Sequence, residues 1–172
     1  MLYVVDASTL ITAQNTYYAL ERVPEFWSWL RFHGEAGNVK IPSEVYGEVT
    51  DGRDELAEWA KDADVRADLV LNEPADLALV RQVTALYGND LTDAELEAIG
   101  QDPFLIAAAL RDPANRCVVS SEVSAPAKLR QNRKVPDVCK DCGVTCIKSI
   151  DLLRVLDFRT DWNARRVPQA RP

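Results

Sequence analysis

Four carboxylates carry the chemistry this sequence suggests: Asp6, Glu48, Asp102 and Glu122. Each falls where a strand or helix begins or ends, and together they can surround one crevice. Bringing them together is costly, because two like charges about 4 Å apart at an effective dielectric of about 20 repel by roughly 4 kcal/mol. Such a group needs protons or divalent cations to coexist. Hard oxygen donors without histidine select magnesium or manganese over zinc, and His33 is the only histidine in the chain. A cation held with open positions generates a hydroxide-like nucleophile and neutralises the charge developing on a phosphodiester.

The elements that must position these acids follow from local composition. Leu2 to Val5 is a short apolar, partly β-branched run, the composition of a strand covered on both faces. Asp6 stands at its carboxyl end, where ligands bind in open α/β sheets. Ser8 is placed to cap the next helix or to bond the carboxylate, and the alternative for Asp6 is a helix cap alone. The run CVVSSE repeats the pattern in the second half of the chain, with Ser120, Ser121 and Glu122 at a strand end. Glu44 and Glu48 lie one turn apart on the helix Glu44 to Thr50, which Pro42 and an N-cap at Ser43 introduce. Glu44 therefore rivals Glu48, although a solvated face is its expected place. Asp102 precedes Pro103 at the start of the almost wholly apolar helix QDPFLIAAALRDP, a partly buried position that calls for a capping role or a cation.

Around these, the periodicity predicts helices over Ser8 to about Tyr18, from Pro24, over Arg53 to Ala67, from Pro74, over Pro136 to Gly143, and over Ile150 to Phe158 behind a Ser149 cap. Thr92 and Glu95 form a capping-box pattern. Short strands are expected at Val39 to Ile41, Leu69 to Leu71 and Val144 to Ile147. Phe26, Trp27, Trp29 and Leu30 make a stripe that belongs in a core, although Trp27 and Trp29 also offer material for a partner surface.

At 172 residues, 47% of them hydrophobic, the chain fits one domain over residues 1–158 followed by a basic, proline-containing tail over 159–172 that is expected to fray or to bind something. No apolar run approaches the roughly 20 residues of a membrane helix and no secretory signal opens the chain, so the expectation is a cytoplasmic protein with no membrane partner. The net charge of −7 speaks against a nucleic-acid partner only if the acids are dispersed; gathered around cations, they leave a site able to face phosphate. Lys128, Arg130, Arg133 and Lys134 form the best candidate for phosphate contact, the alternative being a charged loop that solvates itself. Cys139, Cys142 and Cys146, with Cys117, suggest a metal centre, but histidine support is distant and Cys117 and Cys146 lie in β-like runs, so reduced thiols are expected.

The segments VVDASTLI, EVYGEV, QDPFLIAAAL and VVSSE, in this order and approximate spacing, resemble the four landmarks of PIN-domain proteins. NTYYALERVPEFWSWL, IPSEVYGEVTDGRDELAEWAK and KVPDVCKDCGV are similar to a PIN-like branch found in prokaryotes, so the resemblance spans nearly the whole chain. It implies an α/β fold, a three-layer α/β/α sandwich with a central, mostly parallel sheet. It further implies a magnesium- or manganese-dependent endoribonuclease of the kind that serves as the toxin of VapC-type toxin–antitoxin pairs, with RNA as substrate and an antitoxin protein or a second copy as partner. Asp6, Glu48, Asp102 and Glu122 match its catalytic, metal-holding acids, and Ser8 and Ser120 its small hydroxyl positions; Lys128, Arg130, Arg133 and Lys134 would hold RNA. Glu122 stands where many members have aspartate, which leaves one metal or two open. A haloacid-dehalogenase phosphatase would need a carboxylate at Ser8, and a dinucleotide site would need a glycine-rich turn after the first strand. A non-catalytic RNA- or protein-binding module is the rival from another class.

Overall fold

The structure, a computed structural model, describes residues 1–165. Four parallel strands, β1 (Leu2–Val5), β2 (Val39–Lys40), β3 (Arg116–Ser120) and β4 (Thr145–Lys148), lie in the order β2-β1-β3-β4. Parallel strands need crossovers, and helices supply them: α1 (Ala7–Asn15) and α2 (Pro24–Glu35) between β1 and β2, and α9 (Val135–Asp141) between β3 and β4. Six more connect β2 to β3, namely α3 (Ser43–Thr50), α4 (Glu55–Lys61), α5 (Ala63–Leu69), α6 (Leu77–Tyr87), α7 (Asp93–Ile99) and α8 (Asp102–Leu110). A last helix, α10 (Ser149–Val155), follows β4 directly.

From β1 the chain moves outward to β2, then returns past β1 to β3. Right-handed crossovers in opposite directions place their helices on opposite faces, which makes the three-layer α/β/α sandwich. On one face Val5 lies among Leu10 of α1, Phe26 and Leu30 of α2, and Leu152 of α10; α8 and α9 pack against β1, β3 and β4. Val4, Val5, Val118 and Val119 are fully buried, as an apolar parallel sheet between two helical layers requires. The reversal between β1 and β3 is also the point at which open α/β sheets bind ligands, beyond the strands' carboxyl ends.

Trp27 and Trp29 are buried at 2% and 1% exposure and donate their indole N–H groups to Tyr18 O and Leu156 O. They belong to the core and are removed from any partner surface. The single helix expected over 53–67 is two helices, because Asp62 takes extended backbone (ψ 132°) and its side chain accepts from the N–H groups of Asp64 and Val65 to start α5. The strand expected at 69–71 is one isolated bridge, Val70 to Ile41. Pro74 lies ahead of α6, whose N-cap is Asp76, and Pro42 rather than Ser43 takes the cap position of α3. The capping box at Thr92 and Glu95 forms as its pattern predicts. Of the basic tail, residues 166–172 lie outside the described residues. No helix among the described residues is long and apolar enough to cross a membrane.

Candidate functional site

The register of β1 against β3 pairs Val5 with Val119, and the Asp6 N–H continues it to Val119 O at 2.9 Å. Asp6 therefore leaves the sheet level with Ser120. Its side chain caps α1 through the Ser8 N–H at 3.2 Å, so the capping role expected of it is real. It does more than cap: Asp6 Oδ2 also accepts from Ser8 Oγ at 2.5 Å and from Ser120 Oγ at 2.6 Å. Two hydroxyls from two strand ends thus orient one carboxylate that is 6% exposed. All its donors are neutral.

Asp102 begins α8, and Tyr87 Oη, from the last residue of α6, donates to its Oδ2 at 3.1 Å. Burial raises the Asp102 pKa from 3.8 to about 7, helped by the charges of Asp6, Glu122 and Glu48 and opposed by the Tyr87 hydrogen bond. The four acids named from sequence therefore act on one another electrostatically. Tyr87, 2% exposed, has its own hydroxyl pushed well above the ordinary tyrosine range by burial and by Asp102. It was not among the expected site residues; its only sequence signal was a phenol at a helix end, whose hydroxyl needs a partner when buried.

Glu48 stands at the outer rim, its carboxylate accepting from the Gln101 N–H at 3.2 Å. Partial desolvation and the Asp6 charge push its pKa upward against that hydrogen bond. Gly100, with φ 51°, makes the turn from α7 into α8, and a side chain there would meet Glu48 Oε1 at 3.1 Å. Glu44 instead accepts from Ser43 Oγ and lines a separate depression with Leu71 and Glu73. Glu48 is thus the member of the pair that joins the site.

Glu122 is held from both sides. Lys134 Nζ donates to its Oε1 at 2.6 Å and the Val135 N–H to its Oε2 at 2.8 Å. Two residues on, Asp137 accepts from the Ser124 hydroxyl at 2.5 Å and the Ala125 N–H at 2.7 Å. The first turn of α9 therefore fixes the whole exit loop of β3. Between Ser120 and Glu122, the Ser121 hydroxyl is a buried oxygen with no hydrogen-bond partner.

The four basic residues do not share one open face. Arg130 pairs with Glu95 at 2.5 Å and Asp90 at 2.7 Å, tying the loop to α7. Arg133 donates to Asp141 and to Leu86 O, and Lys134 belongs to Glu122. Lys128 is exposed, with no side-chain partner among the described residues. The four cysteines are free thiols, Cys117 and Cys139 buried and Cys142 and Cys146 half-buried.

Among the described residues no three acid, thiol or imidazole groups converge into a ready-made metal cage. The hydrogen bonds account for this: Glu48 is turned to the Gln101 backbone and Glu122 to Lys134, leaving Asp6 and Asp102. Two carboxylates suit magnesium, which keeps several waters and uses one or two carboxylates together with substrate phosphates. The donors are all hard oxygens, and the Ser121 hydroxyl in the exit loop of β3 is a buried oxygen with no hydrogen-bond partner among the described residues.

Comparison with known proteins returned no match among curated proteins and none among solved structures. A family model described as "Domain of unknown function (DUF4411)" matches residues 3–160, almost the whole described chain and all four acids. The chain belongs to the DUF4411 family.

Proposed function

We propose that this protein is a magnesium- or manganese-dependent endoribonuclease, acting as the toxin of a toxin–antitoxin pair in the cytoplasm. The observation that carries the proposal is a pair of carboxylates, Asp6 at the end of β1 and Asp102 at the start of α8, that receive only neutral donors, with burial and the charges of Asp6, Glu122 and Glu48 raising the Asp102 pKa to about 7. Carboxylates oriented but not neutralised at a topological switch point are the environment a divalent cation stabilises. The choice of RNA and of an antitoxin partner rests on the resemblance to PIN-domain proteins.

Asp6 and Asp102 would hold the cation. What a bound divalent ion supplies is neutralisation of the phosphodiester's developing charge and activation of the attacking water. The Ser8 and Ser120 hydroxyls fix the Asp6 carboxylate and Tyr87 fixes that of Asp102, so neither must reorganise as substrate arrives. Glu48, at the rim, would accept a proton from the attacking water. Glu122 holds the Lys134 ammonium over the acids, and exposed Lys128 meets the RNA backbone beyond them.

Cleavage of a labelled structured RNA by the purified protein with magnesium, with manganese and with chelator, beside Asp6→Asn, tests the proposal. Cutting that requires metal and is lost in the variant is expected. Metal binding with no cutting of any RNA would favour the non-catalytic binding module instead.

A further inference from the structure

We infer that the centre takes a single divalent cation, on Asp6 and Asp102, and that the Lys134 ammonium is a built-in positive charge at Glu122, occupying the place of a second ion. The inference rests on the metal-dependent reading above and concerns how many ions that site accepts.

Of the four acids, one already has a cation. Both oxygens of Glu122 are engaged, one by Lys134 Nζ at 2.6 Å and the other by the next residue's N–H at 2.8 Å. Because the two donors are consecutive, the backbone at the start of α9 places both, and the Asp137 contacts to Ser124 and Ala125 hold the acceptor loop in register with them. Lys134 is partly exposed, and its ammonium is held charged first by the Glu122 hydrogen bond and also by the Asp102 carboxylate, which sets its charge beside the cluster. At Asp6 and Asp102 the donors are hydroxyls and one backbone N–H, which orient a carboxylate without neutralising it.

Two-cation centres set their ions about 3.5–4 Å apart. A second ion here would draw on Glu48, which is turned to the Gln101 N–H at the rim, or on Glu122, where it would have to displace a salt bridge and a backbone hydrogen bond together. Removing one partner of such a pair leaves the other as an uncompensated charge. With Lys134 in place, four carboxylates, one ammonium and one divalent ion bring the centre close to neutral. A second divalent ion would add positive charge where the protein has already supplied it.

The test is the stoichiometry of Mn2+ binding to the full chain, read from free Mn2+ by electron paramagnetic resonance. Wild type is expected to bind one equivalent. Lys134→Met, which keeps most of the unbranched side chain and removes its charge, is expected to bind two, and Lys134→Arg one. Adding Glu122→Gln to Lys134→Met should return the count to one, and circular dichroism checks that each variant is folded. Two equivalents on wild type, or one on folded Lys134→Met, would overturn the inference while leaving the nuclease proposal standing. No Mn2+ binding by wild type would remove the metal-dependent proposal itself, and this inference with it.

Discussion

The two central strands end in much the same way and treat their carboxylates differently. At the end of β1, Asp6 is buried and receives only neutral donors, two hydroxyls and a backbone N–H. At the end of β3, Glu122 is half-buried and receives an ammonium. An oriented but unneutralised carboxylate has charge left to offer a ligand, whereas a paired one has committed it to the fold. The same division separates Asp102, held by a phenol, from Glu95, whose Arg130 partner draws its pKa down to about 2. Neighbouring acids thus serve either the site or the loops that frame it, according to the donor each one meets.

Asp6→Asn probes this contrast with the largest expected effect. Asparagine keeps the α1 cap with its one acceptor oxygen while its amide N–H groups donate to the Ser8 and Ser120 hydroxyls, which turn to accept, so stability should change by about 1 kcal/mol. Cleavage should fall by roughly three orders of magnitude or more, because the lost charge is the one the cation requires. Single-turnover cleavage alongside urea unfolding measures both. Wild-type cleavage by the variant would show that the β1 end has only a capping role.

Asp102 ties the same charge to stability. Its folded pKa is raised from 3.8 to about 7, so the folded protein holds this proton more tightly than the unfolded chain does. Well below pH 4 both states are protonated and the group contributes nothing to the pH slope. As pH rises towards 7 the unfolded chain loses the proton first, so stability falls, by a few kcal/mol in all, and levels off above the folded pKa. Asp102→Asn should flatten this slope between pH 4 and 7 and raise stability at pH 8. A divalent cation at about 100 times its Kd should return roughly 2.7 kcal/mol to wild type at pH 8 and much less to the variant. Urea unfolding across this pH range, with manganese and with chelator, separates the two.

Much of this contrast could be read in the sequence. Asp6 and Glu122 were visible because an apolar β-branched run followed by small hydroxyl residues and an acid is a local pattern; the strand order β2-β1-β3-β4 was not, because no local window says which strands pair. Asp102 was visible because an acid opening a greasy helix has few bland explanations. Partnership was not visible. Arg130 reaches Asp90 and Glu95 some 35 to 40 positions away, and Tyr87 reaches Asp102 across 15, so no local window contains both members. Reading Lys128, Arg130, Arg133 and Lys134 as one cluster followed from adjacency, but a turn at Arg130 (φ 53°) sends neighbouring side chains to different partners. The break at Asp62 was missed for a related reason: aspartate inside a charged helix looks solvated until its carboxylate is seen capping the next one.

Tyr87→Phe sharpens the contrast at Asp102 with a smaller effect. Removing the phenol hydroxyl deletes a hydrogen bond that favours the ionised carboxylate, so the Asp102 titration should move to higher pH. Cleavage at pH 7 should drop about tenfold, roughly the loss of 1.4 kcal/mol in holding the carboxylate ionised and oriented. Carboxyl carbon shifts followed by NMR against pH measure the first effect. An unchanged titration would mean that Tyr87 serves packing alone.

The smallest effect belongs to the outermost charges, where the distinction between committed and available groups reappears in cations. Lys128 is exposed without a side-chain partner among the described residues, while Arg130 and Arg133 are anchored to Asp90, Glu95 and Asp141. Each phosphate neutralised on a single strand contributes about 0.7 to the slope of log affinity against log salt. Lys128→Ala should therefore lower that slope by about 0.7 and weaken RNA binding severalfold. Arg130→Ala should leave the slope unchanged, because its guanidinium does not reach the phosphate, and should loosen the attachment of the loop to α7, seen as faster amide exchange around residues 129–133. Fluorescence anisotropy with an uncleavable RNA at several salt concentrations reads both slopes. Equal losses in the two variants would mean that Arg130 leaves its acids to meet RNA, and the exit loop of β3 would then have to rearrange on binding.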